Sequence, residues 1–335
     1  MARKLNRHQA WRAEKIQQER VRRAQRRHQS AESSLPNSEP GPEETGLVIA
    51  NFGVNLIVEG HTGVHARCVA RQNLGAIVCG DRVVWQATGA DAGVVVAVLP
   101  RRSVLARPDF GGDMKPIAAN IDQIVIVIAI KPGIERLLID QYLVAAELVG
   151  IPPLIVVNKA DLLTMMSRRE VDPLLDEYRE VGYPVVKISV HEDAGLDVLS
   201  QRLRDKTNVL AGHSGVGKSS IVKALLPDIE VRIGELSAAS GLGMHTTTAS
   251  MLYHLPQGGH LIDSPGIRSF GLWNVSPREL AMGFREFRPF LGHCRFRDCT
   301  HRHEPECALI AAAEEGHIST QRMENFYRLL DLLRN

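Results

Sequence analysis

No run of apolar residues in this 335-residue chain is long enough to span a bilayer. The longest, around Ile124 to Ile130, has the length of a buried strand. The opening residues MARKLNRHQAW lack the apolar core of a secretory signal. A cytoplasmic location with no membrane partner is therefore expected. Cysteine is scarce and odd in number, five in all, which speaks against a disulfide framework and for a reducing compartment. No internal repeat is present, so a repeat architecture is not expected. Net charge is also small, +2, and with 44% hydrophobic and 23% charged residues the composition is that of a soluble globular protein with a sizeable core.

The small net charge conceals an asymmetry. Residues 1–28 carry ten Lys and Arg against two Glu, a surplus of eight positive charges, and contain neither Gly nor Pro. Residues 29–45 add four Glu and no base and read as a flexible linker. With a total of +2, the rest of the chain is left near −2. A basic tail on a near-neutral body points to a polyanionic partner, most simply nucleic acid.

From Gly46 to about Val104 the pattern is GLVIAN, VNLIVEG, VHARCVAR, DRVVWQATG and AGVVVAVL, punctuated by turn residues. Five short strands in so short a span suggest a small β-barrel of OB-fold type over 46–104. From 105 to 272 buried strands (IDQIVIVIAI, PLIVVN, PVVKISV, NVLAG, HLIDS) alternate with helical stretches such as RLLIDQYLVAAELVG, the signature of an α/β domain with a largely parallel sheet. Residues 273–335 show two segments of helical period, ELAMGFREF and TQRMENFYRLLDLL, flanking a Cys/His cluster. The fold class expected is multidomain α/β: an N-terminal barrel, a nucleotide-binding domain and a C-terminal helical unit.

The strongest motif is Gly212-His213-Ser214-Gly215-Val216-Gly217-Lys218-Ser219, a complete G-x-x-x-x-G-K-[ST] between a strand and a helix. Its glycines let backbone N–H groups face phosphates, Lys218 supplies charge to the β- and γ-phosphates, and Ser219 a hydroxyl to Mg²⁺. Asn158-Lys159-Ala160-Asp161, directly after the strand PLIVV, looks like the N-K-x-D guanine reader. A carboxylate there accepts from the ring N–H and the exocyclic amine of guanine, a donor pair that adenine lacks. Asp263-Ser264-Pro265-Gly266 resembles D-x-x-G, with Asp263 reaching Mg²⁺ and the Gly266 N–H the γ-phosphate. Among Thr246, Thr247 and Thr248, Thr247 is the favoured switch hydroxyl toward Mg²⁺. Ser189-Val190 resembles the short element that contacts the guanine O6.

These elements run in an unusual order. N-K-x-D and the Ser element precede the P-loop, the Thr run and D-x-x-G, which is a circular permutation of the usual GTPase sequence. A doubly wound sheet tolerates this, because spatial neighbours build the site. The chain then passes directly from the switch region into the C-terminal segment, a route by which switch motion would reach it. Directly after D-x-x-G, where many GTPases carry a water-orienting Gln, stands Ile267, which cannot hydrogen-bond. His245, just before the Thr run, is the nearest sequence candidate for the catalytic group.

The last motif is Cys294-x4-Cys299-x-His301-x5-Cys307, three thiolates and an imidazole suited to a closed, structural Zn²⁺ site. His293 and His303 are alternative nitrogen ligands, with His301 preferred. Cys68 and Cys79 read as buried strand residues.

Taken with SVLARPDF, KPIAANIDQIVIV, GMHTTTASMLYHL, IDSPGIRSFGLW and CRFRDCTH, these motifs make the chain from Gly46 onward resemble the RsgA (YjeQ) family of small-subunit biogenesis GTPases. The resemblance implies an OB-fold, a permuted GTPase domain and a zinc domain. It implies conversion of GTP to GDP stimulated by the 30S subunit, a role in late 30S maturation, and contact with 16S rRNA by a chain expected to be monomeric. It implies nucleotide contacts at Asn158 to Asp161 and Gly212 to Ser220, zinc on Cys294, Cys299, His301 and Cys307, and His245 as the catalytic group. A P-loop ATPase or small-molecule kinase, and an RNA-binding module with a vestigial nucleotide site, are the competing readings. The first conflicts with Asp161, the second with an intact Lys218, Ser219 and Asp263.

Overall fold

The structure is a computed structural model that describes residues 41–72, 74–109, 111–228, 250–264, 267 and 271–334. Five strands form a closed barrel: β1 (Glu43–Asn51), β2 (Asn55–Glu59), β3 (His65–Ala70), β4 (Arg82–Ala87) and β5 (Ala92–Val98). They run in the order β1-β2-β3-β5-β4, with β4 returning to pair with β1. This is the OB-like barrel, and all five strands lie where the alternation put them. β1 starts three residues before Gly46, inside the segment read as linker. The alternation has its physical basis here: Val48, Leu56, Val58, Ala66, Cys68, Val83, Trp85 and Val95 point inward and form one buried cluster.

A two-stranded ribbon follows, β6 (Val104–Pro108) and β7 (Met114–Ala119). Period alone did not reveal it, since Pro108 and Pro116 break a strand pattern. Both strands are edges, and Pro116 sits at the register shift, so neither proline costs the sheet a bond it needs.

The α/β domain is built from β8 (Gln123–Ala129), α1 (Arg136–Leu148), β9 (Pro153–Asn158), α2 (Met165–Glu180), β10 (Val185–Lys187), α3 (Asp193–Leu203), β11 (Thr207–Ala211), α4 (Lys218–Leu225), β12 (Ser250–His254) and β13 (His260–Asp263). Its strands lie in the order β10-β9-β8-β11-β13-β12, parallel except for β12, which is antiparallel to β13. Every residue of β8, β9 and β11 is buried, as continuous apolar runs covered on both faces should be. The P-loop strand β11 is central, between β8 and β13. The strand carrying Asn158 lies one place further, beyond β8.

β12 also pairs with β1, Ala50 opposite Met251 and Asn51 opposite Ser250. Barrel and nucleotide domain therefore share one continuous sheet of eleven strands. Cys68 lies buried in β3 as expected. Cys79 is buried as well, but in the turn before β4 and not in a strand.

The C-terminal unit contains α5 (Pro277–Gly283), α6 (Ala308–Glu314) and α7 (Thr320–Arg334). α5 starts at a capping box, Ser276 with Glu279, with Pro277 in the first turn. Phe284, Phe287 and Phe326 form its core in stacked and edge-to-face contacts. The unit rests on α1. A side chain at Gly283 would lie 2.4 Å from Val144 Cγ1, so only glycine allows that approach. Beside it, buried Asp140 of α1 accepts from Tyr178 Oη (2.8 Å), Asn325 Nδ2 (2.6 Å) and the Arg322 guanidinium, which also grips Glu286 (Nε to Oε1, 2.5 Å). Burial opposes the charge of Arg322, but Asp140 and Glu286 outweigh it and raise its pKa. The position of this unit is thus fixed on α1, besides its chain connection to the switch region. No helix among the described residues is long and apolar enough to cross a membrane.

Candidate functional site

The P-loop leaves β11 at Gly212 and enters α4 at Lys218. Gly212 and Gly217 have φ of +141° and +94°, and side chains there would meet Val127 O and Asn158 Nδ2, both at 2.3 Å. Gly215, at φ +84°, faces open space. His213, Ser214, Gly215, Ser219 and Ser220 are exposed and Val216 is buried beneath them. Lys218 Nζ curls back over the loop to Gly212 O and His213 O, both at 2.7 Å. From α1 below, buried Tyr142 takes a hydrogen bond from the Gly212 backbone, which partly offsets the rise that burial gives its pKa.

The N-K-x-D segment stands against this loop. Asn158, 1% exposed, donates from Nδ2 to Val216 O (2.9 Å), and Lys159 Nζ donates to Gly215 O (3.0 Å) and Lys131 O (2.9 Å). Segments more than fifty residues apart in sequence therefore meet at the C-terminal end of the parallel strands. Lys159 is left-handed (φ +59°), which turns the chain into a short 3₁₀ turn, Ala160–Leu162, and leaves the Asp161 carboxylate exposed. The Ala160 N–H bonds Ile188 O (2.9 Å), bringing buried Ser189 and half-buried Val190 alongside. The Asn158 Oδ1 is buried without a partner among the described residues.

β13 runs parallel to β11, with Ile262 opposite Val209, so Asp263 emerges exposed at the P-loop end of the sheet. Ser264, next to it, is buried and accepts from Ser250 Oγ (2.7 Å). Ile267, 2% exposed, belongs to the core, so the position of the usual Gln contributes packing only. His245, Thr246, Thr247, Thr248 and Gly266 lie outside the described residues.

In the C-terminal unit Cys294, Cys299, His301 and Cys307 converge, their ligand atoms all within 4.8 Å of one another. Bond lengths of about 2.3 Å to sulfur and 2.0 Å to nitrogen put tetrahedral zinc ligands roughly 3.5–3.8 Å apart. Cys294 Sγ lies 3.5 Å from His301 Nδ1 and 3.9 Å from Cys307 Sγ, and His301 Nδ1 lies 3.4 Å from Cys307 Sγ. The donor set and spacing fit one metal ion held by four protein ligands. His301 has a left-handed backbone (φ +60°), and its carbonyl accepts from Tyr327 Oη at 2.7 Å. Among the alternatives weighed on sequence, His301 is the histidine of this group; His293 and His303 are not in it.

A P-loop and a guanine-reader segment joined on a parallel sheet, in inverted chain order and beside an OB-like barrel, define a circularly permuted GTPase. The sequence profile described as RsgA GTPase matches residues 98–273. The small ribosomal subunit biogenesis GTPase RsgA of Pseudomonas aeruginosa is 52% identical over 328 residues, covering 98% of this chain and 97% of that one. The protein of the same name from Hahella chejuensis is 50% identical over 335 residues, covering 99% and 96%. Among solved structures, YjeQ from Thermotoga maritima matches with a TM-score of 0.73 at 33% identity, over 88% of this chain and 99% of that one. YloQ, described as a circularly permuted GTPase, matches with a TM-score of 0.70 at 28% identity, over 88% and 96%. The chain belongs to the RsgA GTPase family and is a GTP hydrolase.

Proposed function

We infer that this GTPase binds the small ribosomal subunit, assists its late maturation, and hydrolyses GTP to GDP and phosphate under stimulation by that subunit. The observation that carries the nucleotide half of this reading is the bond from Asn158 to the Val216 carbonyl, which joins guanine reader and phosphate cradle. The partner follows from the names of the relatives of near full-length coverage. On this reading Asp161 takes the guanine donors, with Ser189 and Val190 beside O6. The Gly212 to Ser220 segment wraps the phosphates, Ser219 and Thr247 would hold Mg²⁺ with Asp263 reaching toward it, and the Gly266 N–H meets the γ-phosphate. Mg²⁺ neutralises charge on the phosphates when bound. With Ile267 buried, His245 is the group assigned to the attacking water.

The same reading gives Cys294, Cys299, His301 and Cys307 to a structural zinc ion. The barrel and basic tail contact 16S rRNA, largely through backbone charge, so affinity for the subunit falls steeply with salt. The protein acts as a cytoplasmic monomer. Apart from Glu43 to Thr45, which belong to β1 of the barrel, residues 1–45 serve as tail and linker, 46–104 as barrel, 105–272 as GTPase domain and 273–335 as zinc domain. The test is GTP turnover titrated with purified small subunits, for the parent and for His245→Ala. Saturable stimulation that His245→Ala abolishes is expected. Turnover indifferent to the subunit refutes the partner, and unchanged stimulation in the variant refutes the histidine.

A further inference from the structure

β12 starts at Ser250, two residues past Thr248, and lies antiparallel to β13, which ends at Asp263; Met251 is opposite Asp263. Its first residue, Ser250, occupies a junction of three elements. The side chain donates to Ser264 Oγ (2.7 Å), beside Asp263, while its carbonyl accepts from the thiol of Cys79 (Sγ to O, 3.0 Å). Burial pushes the Cys79 thiol well above its ordinary pKa, so it remains the S–H donor that this geometry needs. Cys79 belongs to the barrel, in the turn joining β3 to β4.

That turn is fixed from every side. The Cys79 carbonyl accepts from Ala119 N (3.0 Å), and Gly80 N donates to Val48 O (3.0 Å). The Gly80 carbonyl accepts from Asn120 Nδ2 (2.8 Å). Gly80 has φ +88°, and a side chain there would lie 2.1 Å from Ala119 O. Fully buried Asp81 holds the turn's Val78 N–H (2.8 Å) and takes a bidentate grip from Arg101 at 2.7 and 2.8 Å. At the far end of β12, His254 Nε2 meets the Glu59 carboxylate of the barrel at 2.9 and 3.0 Å. The strand after the Thr run is therefore clamped at both ends by the barrel, and its first residue touches the D-x-x-G segment.

We propose that Ser250 is a positioning residue that transmits the orientation of the barrel, through Cys79 on one side and Ser264 on the other, to Asp263. A partner seated on the barrel acts on the hydrolytic machinery along this path without touching the nucleotide. The proposal rests on the reading that the small subunit stimulates turnover. It applies to full-length protein, through Ser250→Ala, Ser264→Ala, the double variant, and Cys79→Ala, which touches no switch element.

Turnover is measured with and without saturating small subunits, together with KM for GTP. Expected are basal turnover and KM within about twofold of the parent in Ser250→Ala and Cys79→Ala, and a stimulated kcat lowered about fivefold in each single variant, the scale of one lost hydrogen bond. The double serine variant should lose less than the two single losses combined, because the bond between the two hydroxyls is removed only once. Parent-like stimulation in all variants, with the parent itself stimulated, overturns the coupling and leaves the partner intact. A parent that the subunit does not stimulate overturns both. Loss of basal turnover in Ser250→Ala also overturns the proposal, since the bond would then serve the fold of the site.

Discussion

Gly217→Ala tests the joint between the P-loop and the guanine reader. The backbone at Gly217 has φ +94°, which costs an L-residue about 1–2 kcal/mol. The new Cβ would sit 2.3 Å from Asn158 Nδ2. Asn158 must move and give up its 2.9 Å bond to Val216 O inside a buried environment, a further cost of about 1–3 kcal/mol. Because the damage is confined to the two segments that meet the nucleotide, a loss near the middle of the combined range, about 3 kcal/mol, should appear as roughly hundredfold weaker GTP binding. Gly215→Ala is the internal control. Its φ is +84°, but a side chain there meets nothing within 4 Å, so only the backbone term applies and the loss stays near tenfold. Titration with a fluorescent guanine nucleotide measures both, and a thermal melt checks that the fold survives. If Gly217→Ala binds within threefold of the parent, or no more weakly than Gly215→Ala, the joint does not form as described.

Asp140→Ala strips Arg322, Asn325 and Tyr178 of their shared acceptor, and breaking a buried pair from one side costs about 3–5 kcal/mol. The C-terminal unit should melt earlier and become sensitive to protease while guanine nucleotide still binds. Cys294→Ser, or exposure to a strong chelator, should release one zinc equivalent and loosen the same unit, read by metal analysis and circular dichroism. For pH, His260 is held below its ordinary 6.5 by burial and then by His254, against a weaker pull from Glu59 and Asp122. A lowered imidazole pKa gives stability that is complete above 6.5 and is lost as pH falls through the folded value. Melts between pH 7.5 and 5 should therefore show an acid-side loss that is smaller in His260→Gln, and equal slopes would refute this assignment.

What was legible in the sequence follows from how local the chemistry is. A P-loop needs its glycines and Lys218 contiguous, and a metal site of three thiolates and an imidazole is easily built within one short stretch, so the convergence of Cys294, Cys299, His301 and Cys307 could be read from spacing. The barrel strands were legible because one face of each is buried. Pairing between distant segments left no such mark. The two-residue match of β1 with β12 has no local signal, yet it joins the barrel to the nucleotide domain. Asp140 stands in an apolar helix far from Arg322, and nothing beside it in sequence announces the pairing. Cys79 reads as a strand residue among Ile77 and Val78, and only the structure shows it in a turn, facing Ser250.

The most direct measurement is competition among nucleotides for this site. If the Asp161 carboxylate reads guanine as proposed, GTP should bind, inosine triphosphate, which lacks the exocyclic amine, should bind at least about tenfold more weakly, and ATP should not compete. Equal displacement by guanine and adenine nucleotides would contradict the account.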